Sequence, residues 1–162
     1  AEPGARAAHR APSAKRQALS HPVRIFLDAN VLFSASKSAG AVRHLLACAE
    51  ERGHVLCGDD YVVAEAQRNL ATKASEGLSA LAAIVARIEV ARYDPAPAAG
   101  EIAALLPEKD RPVLAAAVRL RCDALVTGDR THFGALYGRS VLGVAVHSPR
   151  SLAEAIGLIP PA

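Results

Sequence analysis

Trp and Met are absent from this chain, and Phe and Tyr supply three residues each. So few rings leave little material for a base-stacking platform, and any hold on a nucleic acid would go through phosphates. Cysteine is scarce as well. Cys48, Cys57 and Cys122 are odd in number and widely spaced, which argues against a disulfide framework or a cysteine metal site. They read as buried thiols of a protein in a reducing, cytoplasmic compartment. No run approaches the ~20 apolar residues of a membrane span. Residues 1–22 lack the apolar core of a secretory signal.

A charge surplus is also missing from most of the chain. The formal net charge is +3, and residues 1–22 carry all of it, as Arg6, Arg10, Lys15 and Arg16 against Glu2. Residues 23–162 hold 15 basic and 15 acidic groups and are neutral. The first segment, rich in Ala, Arg and Pro, is expected to be a disordered basic tail. Residues 23–157 are expected to form a single domain, with 158–162 as a short C-terminal tail. A neutral body can hold a polyanion only if its Lys and Arg are gathered around the binding site.

What the sequence does have is acids in telling places. Asp28 closes the apolar run Val-Arg-Ile-Phe-Leu, and Asp129 closes Ala-Leu-Val-Thr-Gly. Both read as carboxylates at the carboxyl ends of buried strands, where open α/β sheets bind ligands. Glu65 and Asp110 fall in the early turns of expected helices. Four carboxylates converging on one point repel unless a cation lies between them, and oxygen ligands select hard ions such as Mg²⁺ or Mn²⁺. Such clusters serve metal-dependent attack on phosphate esters.

The order of elements supports that placement. Strands are expected at 23–27, 54–57, 88–93, 124–127 and 141–146. A helix is expected over 38–52, with Val42, Leu45, Leu46 and Ala49 on its buried face and Gly53 as its stop. Asp59 is the expected N-cap of a helix to about Thr72 whose buried face is Val62, Ala66 and Leu70. Another helix at 75–87 places Leu78, Leu81, Ile84 and Val85 on an apolar face. A short helix at 97–106 precedes one opened by Asp110-Arg111-Pro112 and running to about Arg121. A helical turn near 131–136 and a final helix from Ser148-Pro149 to Gly157 complete the chain. This alternation implies a three-layer α/β/α sandwich on a mostly parallel sheet.

Each motif alone has a plain structural reading. Asp28-Ala29-Asn30 is compatible with an ordinary turn; Asn30 would otherwise orient Asp28 or donate to a phosphate. Thr127-Gly128-Asp129 is more pointed, because Gly permits a close backbone approach beside an acid. Glu65 could be a solvated helix-face acid, and Asp110 a pure N-cap. Arg130, Arg68 and Lys73 are either phosphate contacts or surface cations. His132, Asp59, Asp60 and Asp123 read as helix-start or turn-capping residues.

Taken together and in order, the motifs resemble the PIN-domain ribonucleases. Phe26-Leu-Asp-Ala-Asn-Val-Leu-Phe-Ser-Ala35 is similar to the opening strand and first acid of that family. Tyr61-Val-Val-Ala-Glu-Ala-Gln-Arg-Asn-Leu70 resembles the helix of the second acid, and Lys109-Asp-Arg-Pro-Val-Leu-Ala-Ala-Ala117 that of the third. Ala124-Leu-Val-Thr-Gly-Asp-Arg-Thr-His-Phe133 resembles its last acid-bearing strand. The likeness spans roughly 24–147 and looks nearest to the toxin branch, of VapC type, whose members pair with antitoxins. Relatives there carry an extra acid shortly before the third; here Glu108 stands in that stretch as a helper candidate.

The resemblance implies hydrolysis of RNA to 5′-phosphate and 3′-hydroxyl ends. Asp28, Glu65, Asp110 and Asp129 would be the catalytic acids and the ligands of Mg²⁺ or Mn²⁺. Asn30 and Thr127 would support the carboxylates, and Arg130 would touch phosphate. Expected partners are RNA, an antitoxin and a second copy of the chain, with the helices of 59–87 serving either as a docking face or as core. The alternative is a catalytically inactive PIN-like module that binds RNA or protein. A phosphoacceptor receiver would need an acid pair after the first strand and a Lys near 141–147, and a haloacid-dehalogenase-like phosphatase would need Asp-x-Asp where this chain has Asp-Ala-Asn.

Overall fold

The computed structural model describes residues 19 and 21–161. Nearly all of the basic segment expected to be disordered lies outside the described residues. Leu19 is described: its N–H donates to the Ala155 carbonyl at 2.8 Å, and its side chain packs against the core. Leu158 and Ile159 pack there too.

Among the described residues, six strands form one sheet: β1 (Arg24–Leu27), β2 (Val55–Asp59), β3 (Glu89–Ala91), β4 (Ala124–Val126), β5 (Ser140–Val141) and β6 (Val144–His147), in the order β3-β2-β1-β4-β6-β5. All pairings are parallel except β5 with β6. Among the described residues, eight α-helices connect and flank them: α1 (Ala29–Lys37), α2 (Ala41–Glu51), α3 (Asp60–Lys73), α4 (Leu78–Val85), α5 (Gly100–Leu105), α6 (Arg111–Arg119), α7 (Arg130–Phe133) and α8 (Pro149–Ala155). The expected α/β architecture on a mostly parallel sheet is the observed one.

Burial explains the central position of β1. Ile25, Phe26 and Leu27 are fully buried, as are Leu125 and Val126 on β4. Burying each such side chain contributes about 1.5–3 kcal/mol. A strand apolar on both faces belongs in the middle of a parallel sheet, where helices cover both sides. From β1 the chain runs outward through β2 and β3, then returns to β4 on the other side. The strand order therefore reverses between β1 and β4, which opens a crevice beyond their carboxyl ends.

Several expectations are corrected. Residues 29–37, for which the sequence pattern announces no element, form α1, because Val31, Leu32 and Ala35 are buried on one helical face. The single strand expected over 141–146 is a hairpin: Leu142 (φ 49°) and Gly143 (φ 85°) turn the chain between β5 and β6. That pair of left-handed residues is the signature of a type I′ turn. On α4, Leu81 is buried but Leu78 is exposed, so the expected apolar face is only partly inward. Other predicted punctuation is observed. Asp59 caps α3 through its bond from the Val62 N–H, Gly53 (φ 84°) ends α2, and Ser148 with Ser151 forms a capping box on α8.

Candidate active site

Asp28 leaves β1 one residue beyond the ladder pair Leu27–Val126, and its N–H donates to the Val126 carbonyl at 3.1 Å. Its side chain is therefore delivered into the crevice next to Thr127. Asp28 is also the N-cap of α1: Oδ1 accepts from the Ala29 N–H at 2.7 Å. Oδ2 accepts from the Thr127 hydroxyl at 2.8 Å and from Asn30 Nδ2 at 3.3 Å. Asn30 in turn accepts from the Gly128 N–H at 2.8 Å. A Cβ on Gly128 would stand 3.3 Å from that Asn30 oxygen, which shows why glycine suits the closely approached position. The Thr127 hydroxyl also accepts from the Asp129 N–H at 3.2 Å, and Tyr137 donates to the Thr127 carbonyl at 2.7 Å. Thr127 and Asn30 thus tie the start of α1 to the β4–α7 loop and hold Asp28 between them.

Asp129 caps α7 by accepting from the His132 N–H at 3.1 Å. Its Oδ2 lies 2.8 Å from His132 Nδ1. The same ring nitrogen is 3.4 Å from Asp110 Oδ2. Asp110 occupies the N-cap position of α6, yet its side chain makes no capping hydrogen bond. Its placement is secured by Arg111, which donates to the Leu106 and Ala103 carbonyls at 2.9 and 3.2 Å and so pins α5 against the start of α6. Asp110 is therefore positioned for something other than capping. Glu65 lies half-buried on α3, at the edge of the buried face formed by Val62, Ala66 and Leu70.

All four predicted acids, Asp28, Glu65, Asp110 and Asp129, line one polar cavity of about 190 Å³. Asn30, Tyr61, Asn69 and Lys109 share it. Tyr61 and Asn69 flank Glu65 by four residues on either side, so helical spacing alone could have found them. The sequence marks His132 only as a helix-start residue and gives no sign of its contact with two acids. Arg130 is exposed on α7 and outside the cavity lining, as are Arg68 and Lys73 on α3. Glu108 lines a neighbouring cavity instead of this one. Asp123 accepts from the Arg24 N–H at 2.8 Å, which fixes the start of β1 and takes no part in the site.

The electrostatics are uneven. Burial pushes the Asp28 carboxyl up to about 6; the Thr127 and Ala29 donors oppose this, and the Glu65 and Asp110 charges add to it. At Asp129 burial also acts upward, but the His132 ring and N–H together outweigh it and hold the group below the usual carboxylate range. Asp110 Oδ2 is buried with no hydrogen-bond partner among the described residues. An orphaned buried carboxylate oxygen is costly unless something cationic completes it. Asp110, Asp129 and His132 each offer a donor atom, all within 4.8 Å of one another. The residues present therefore fit a divalent cation, with Asp28 and Glu65 supplying further oxygens on the cavity wall.

Comparison with known proteins bears on the family and the fold. The family model described as PIN domain matches residues 24–131. No curated protein matches the chain. The fold is similar to that of a chain in the crystal structure of VapBC2 from Rickettsia felis bound to a DNA fragment from their promoter. That match has 13% identity and a TM-score of 0.55, covering 77% of this chain and 98% of that one. Mycobacterium tuberculosis VapC20, a sarcin–ricin loop cleaving toxin, matches at 16% identity and a TM-score of 0.46, covering 68% of this chain and 94% of that one. The family match takes in the strands and helices that carry all four acids, and the chain belongs to the PIN domain family.

Proposed function

We propose that this protein is a metal-dependent endoribonuclease and the toxin of a toxin–antitoxin pair. The observation that carries the reading is Asp110 Oδ2, buried without a hydrogen-bond partner among the described residues and facing Asp129 and His132 in a cavity shared with Asp28 and Glu65. Membership of the PIN domain family, whose members are typically nucleases, supports it. Asp28, Asp110 and Asp129 would hold one or two Mg²⁺ or Mn²⁺ ions, and Glu65 would complete the set or orient the attacking water. A bound divalent ion lowers the pKa of a bound water and offsets charge developing on the phosphate. His132, when protonated, neutralises part of the Asp110–Asp129 pair in the metal-free protein. Thr127 and Asn30 keep Asp28 from rotating away, and Lys109 places a positive charge on the cavity wall for the phosphate.

Asp129→Asn separates an enzyme from an inactive module. The nuclease reading expects wild type to leave 5′-phosphate and 3′-hydroxyl ends in Mg²⁺ or Mn²⁺, and the variant to lose at least about 10²-fold in rate. Equal cleavage by both proteins would sink the catalytic assignment. Retained RNA binding with no cleavage by either would favour the module.

The antitoxin and the homodimer are further parts of the proposal. An antitoxin segment would bury apolar surface and bring a cationic side chain to the acids. The fold similarity to a chain of the VapBC2 complex is in keeping with that role. On the α3–α4 hairpin, Val62, Ala66, Leu70 and Leu81 are committed to the core, which leaves Leu78 and the outward alanines of α4 for a partner. Size-exclusion with mass detection tests the dimer, and a monomer at high concentration would remove it.

A further inference from the structure

Beside the acid cavity lies a second, larger one of about 360 Å³, walled in part by Tyr93, Pro95, Pro97, Glu108, Arg111 and Pro112. Two features join the cavities. Tyr61, on the wall of the acid cavity, stacks on Tyr93 with ring centroids 5.2 Å apart and planes at 29°. The tight turn Glu108–Asp110 divides its residues between them: Glu108 faces the larger cavity, Lys109 and Asp110 the acid one. Scarce as rings are in this chain, two of its three tyrosines meet at this boundary.

We infer that the larger cavity is a nucleobase subsite that seats an unpaired RNA base next to the phosphate held at the acids. This rests on the nuclease reading and adds to it a device for choosing the base. Tyr93 remains 40% exposed although Tyr61 stacks on it, so the pair forms a stacking surface already braced from behind. The walls are stiff. Three prolines restrict the backbone, Asp94 Oδ1 holds the Ala96 N–H at 2.9 Å, and Arg111 is fixed by the Leu106 and Ala103 carbonyls. The volume lies within the range of small-ligand sites. Glu108 is the group that discriminates. A carboxylate accepts hydrogen bonds and donates none, so it favours the exocyclic amino groups of adenine, cytosine or guanine over uracil, whose one base N–H on that edge lies between two carbonyl oxygens that repel a carboxylate. Its consecutive placement with Lys109 and Asp110 puts base recognition and phosphate placement on one turn. Base stacking on an aromatic ring is worth about 1–3 kcal/mol, or roughly 5–150-fold in affinity.

Fluorescence anisotropy with labelled short homopolymers of A, C, G and U, in Ca²⁺ to slow cleavage, tests the subsite on the full chain. Wild type should bind at least one amino-bearing homopolymer more tightly than oligo-U. Tyr93→Ala should weaken that preferred binding by at least about 5-fold, and Tyr93→Phe should restore it. Glu108→Gln should narrow the gap between the amino-bearing homopolymers and oligo-U. The inference is overturned by equal binding of all four by wild type, by no binding of any, or by a folded Tyr93→Ala protein that binds as wild type does. Cleavage in Mg²⁺ or Mn²⁺ by the same proteins keeps the two readings apart. Tyr93-dependent binding without cleavage by any protein keeps the subsite and removes the nuclease. Cleavage whose base preference is unchanged in Tyr93→Ala keeps the nuclease and removes the subsite.

Discussion

Asp28 is the residue on which the chemistry and the stability of the site meet. Its carboxyl is raised to about 6 by burial, so the folded state binds its proton more tightly than the unfolded chain does. Stability from this group is fully present below about pH 4 and is lost as pH rises through about 6, by about 3 kcal/mol in all. Asp129 acts in the opposite sense: it is held below its ordinary value, so its contribution is present above the unfolded pKa and lost on acidification. If Asp28 binds metal as proposed, the ion has to displace its proton, so Mn²⁺ affinity should fall about tenfold per pH unit below about 6, as calorimetric titration would show. An affinity independent of pH between about 5 and about 7 would remove Asp28 from the ligand set. Thr127→Val deletes the hydroxyl that donates to Asp28 and accepts from the Asp129 N–H. It should cost about 1–3 kcal/mol in urea denaturation and weaken metal binding as well. Asp28 and Asp129 stood out in the sequence because each ends a buried apolar run, whereas Glu65 and Asp110 stood out only through the order of the motifs along the chain. The link from His132 to Asp110 was not legible there, because it joins separate helices through a ring whose direction no local pattern dictates.

At the scale of elements, the helices with clear apolar periodicity and clear caps were readable, and those held by tertiary contact were not. α2 showed its Leu45-Leu46-Ala49 face and its Gly53 stop in the sequence. α1 did not, because Asn30, Val31, Phe33 and two serines are weak helix formers and Asp28-Ala29-Asn30 also reads as a turn. Packing against α2, α3 and α4 decides its conformation. One contact there is tight. A Cβ on Gly77 would stand 2.9 Å from both Leu70 Cδ2 and the Ser36 carbonyl. Gly77→Ala should therefore push the α3–α4 connection off the end of α1 and cost about 1–3 kcal/mol by urea denaturation. Any catalytic activity per folded molecule should hardly change, since the displaced end of α1 is the one away from Asp28. A neutral effect on stability would show that this junction yields more easily than its geometry implies.

At the scale of the whole molecule, the alternation of strands and helices announced a parallel α/β sandwich, but not which strands lie side by side. The order β3-β2-β1-β4-β6-β5 is what brings Asp28 and Asp129, about a hundred residues apart in the chain, to one crevice. No helix among the described residues is long and apolar enough to cross a membrane. The metal-free fold carries the repulsion of its own acids, so an ion at about 100 times its Kd should stabilise it by about 2.7 kcal/mol and raise Tm by roughly 5–10 °C. In Asp110→Asn the shift should shrink, because one of the cavity carboxylates offered to the ion has been neutralised. The central claim is tested most directly by incubating the purified full chain with structured RNA in Mg²⁺, in Mn²⁺ and in EDTA, beside Asp28→Asn. The account predicts cleavage in metal, none in EDTA and none by the variant. Cleavage that persists in EDTA, or a folded, partner-free wild-type protein that cuts no RNA with either metal, would contradict it.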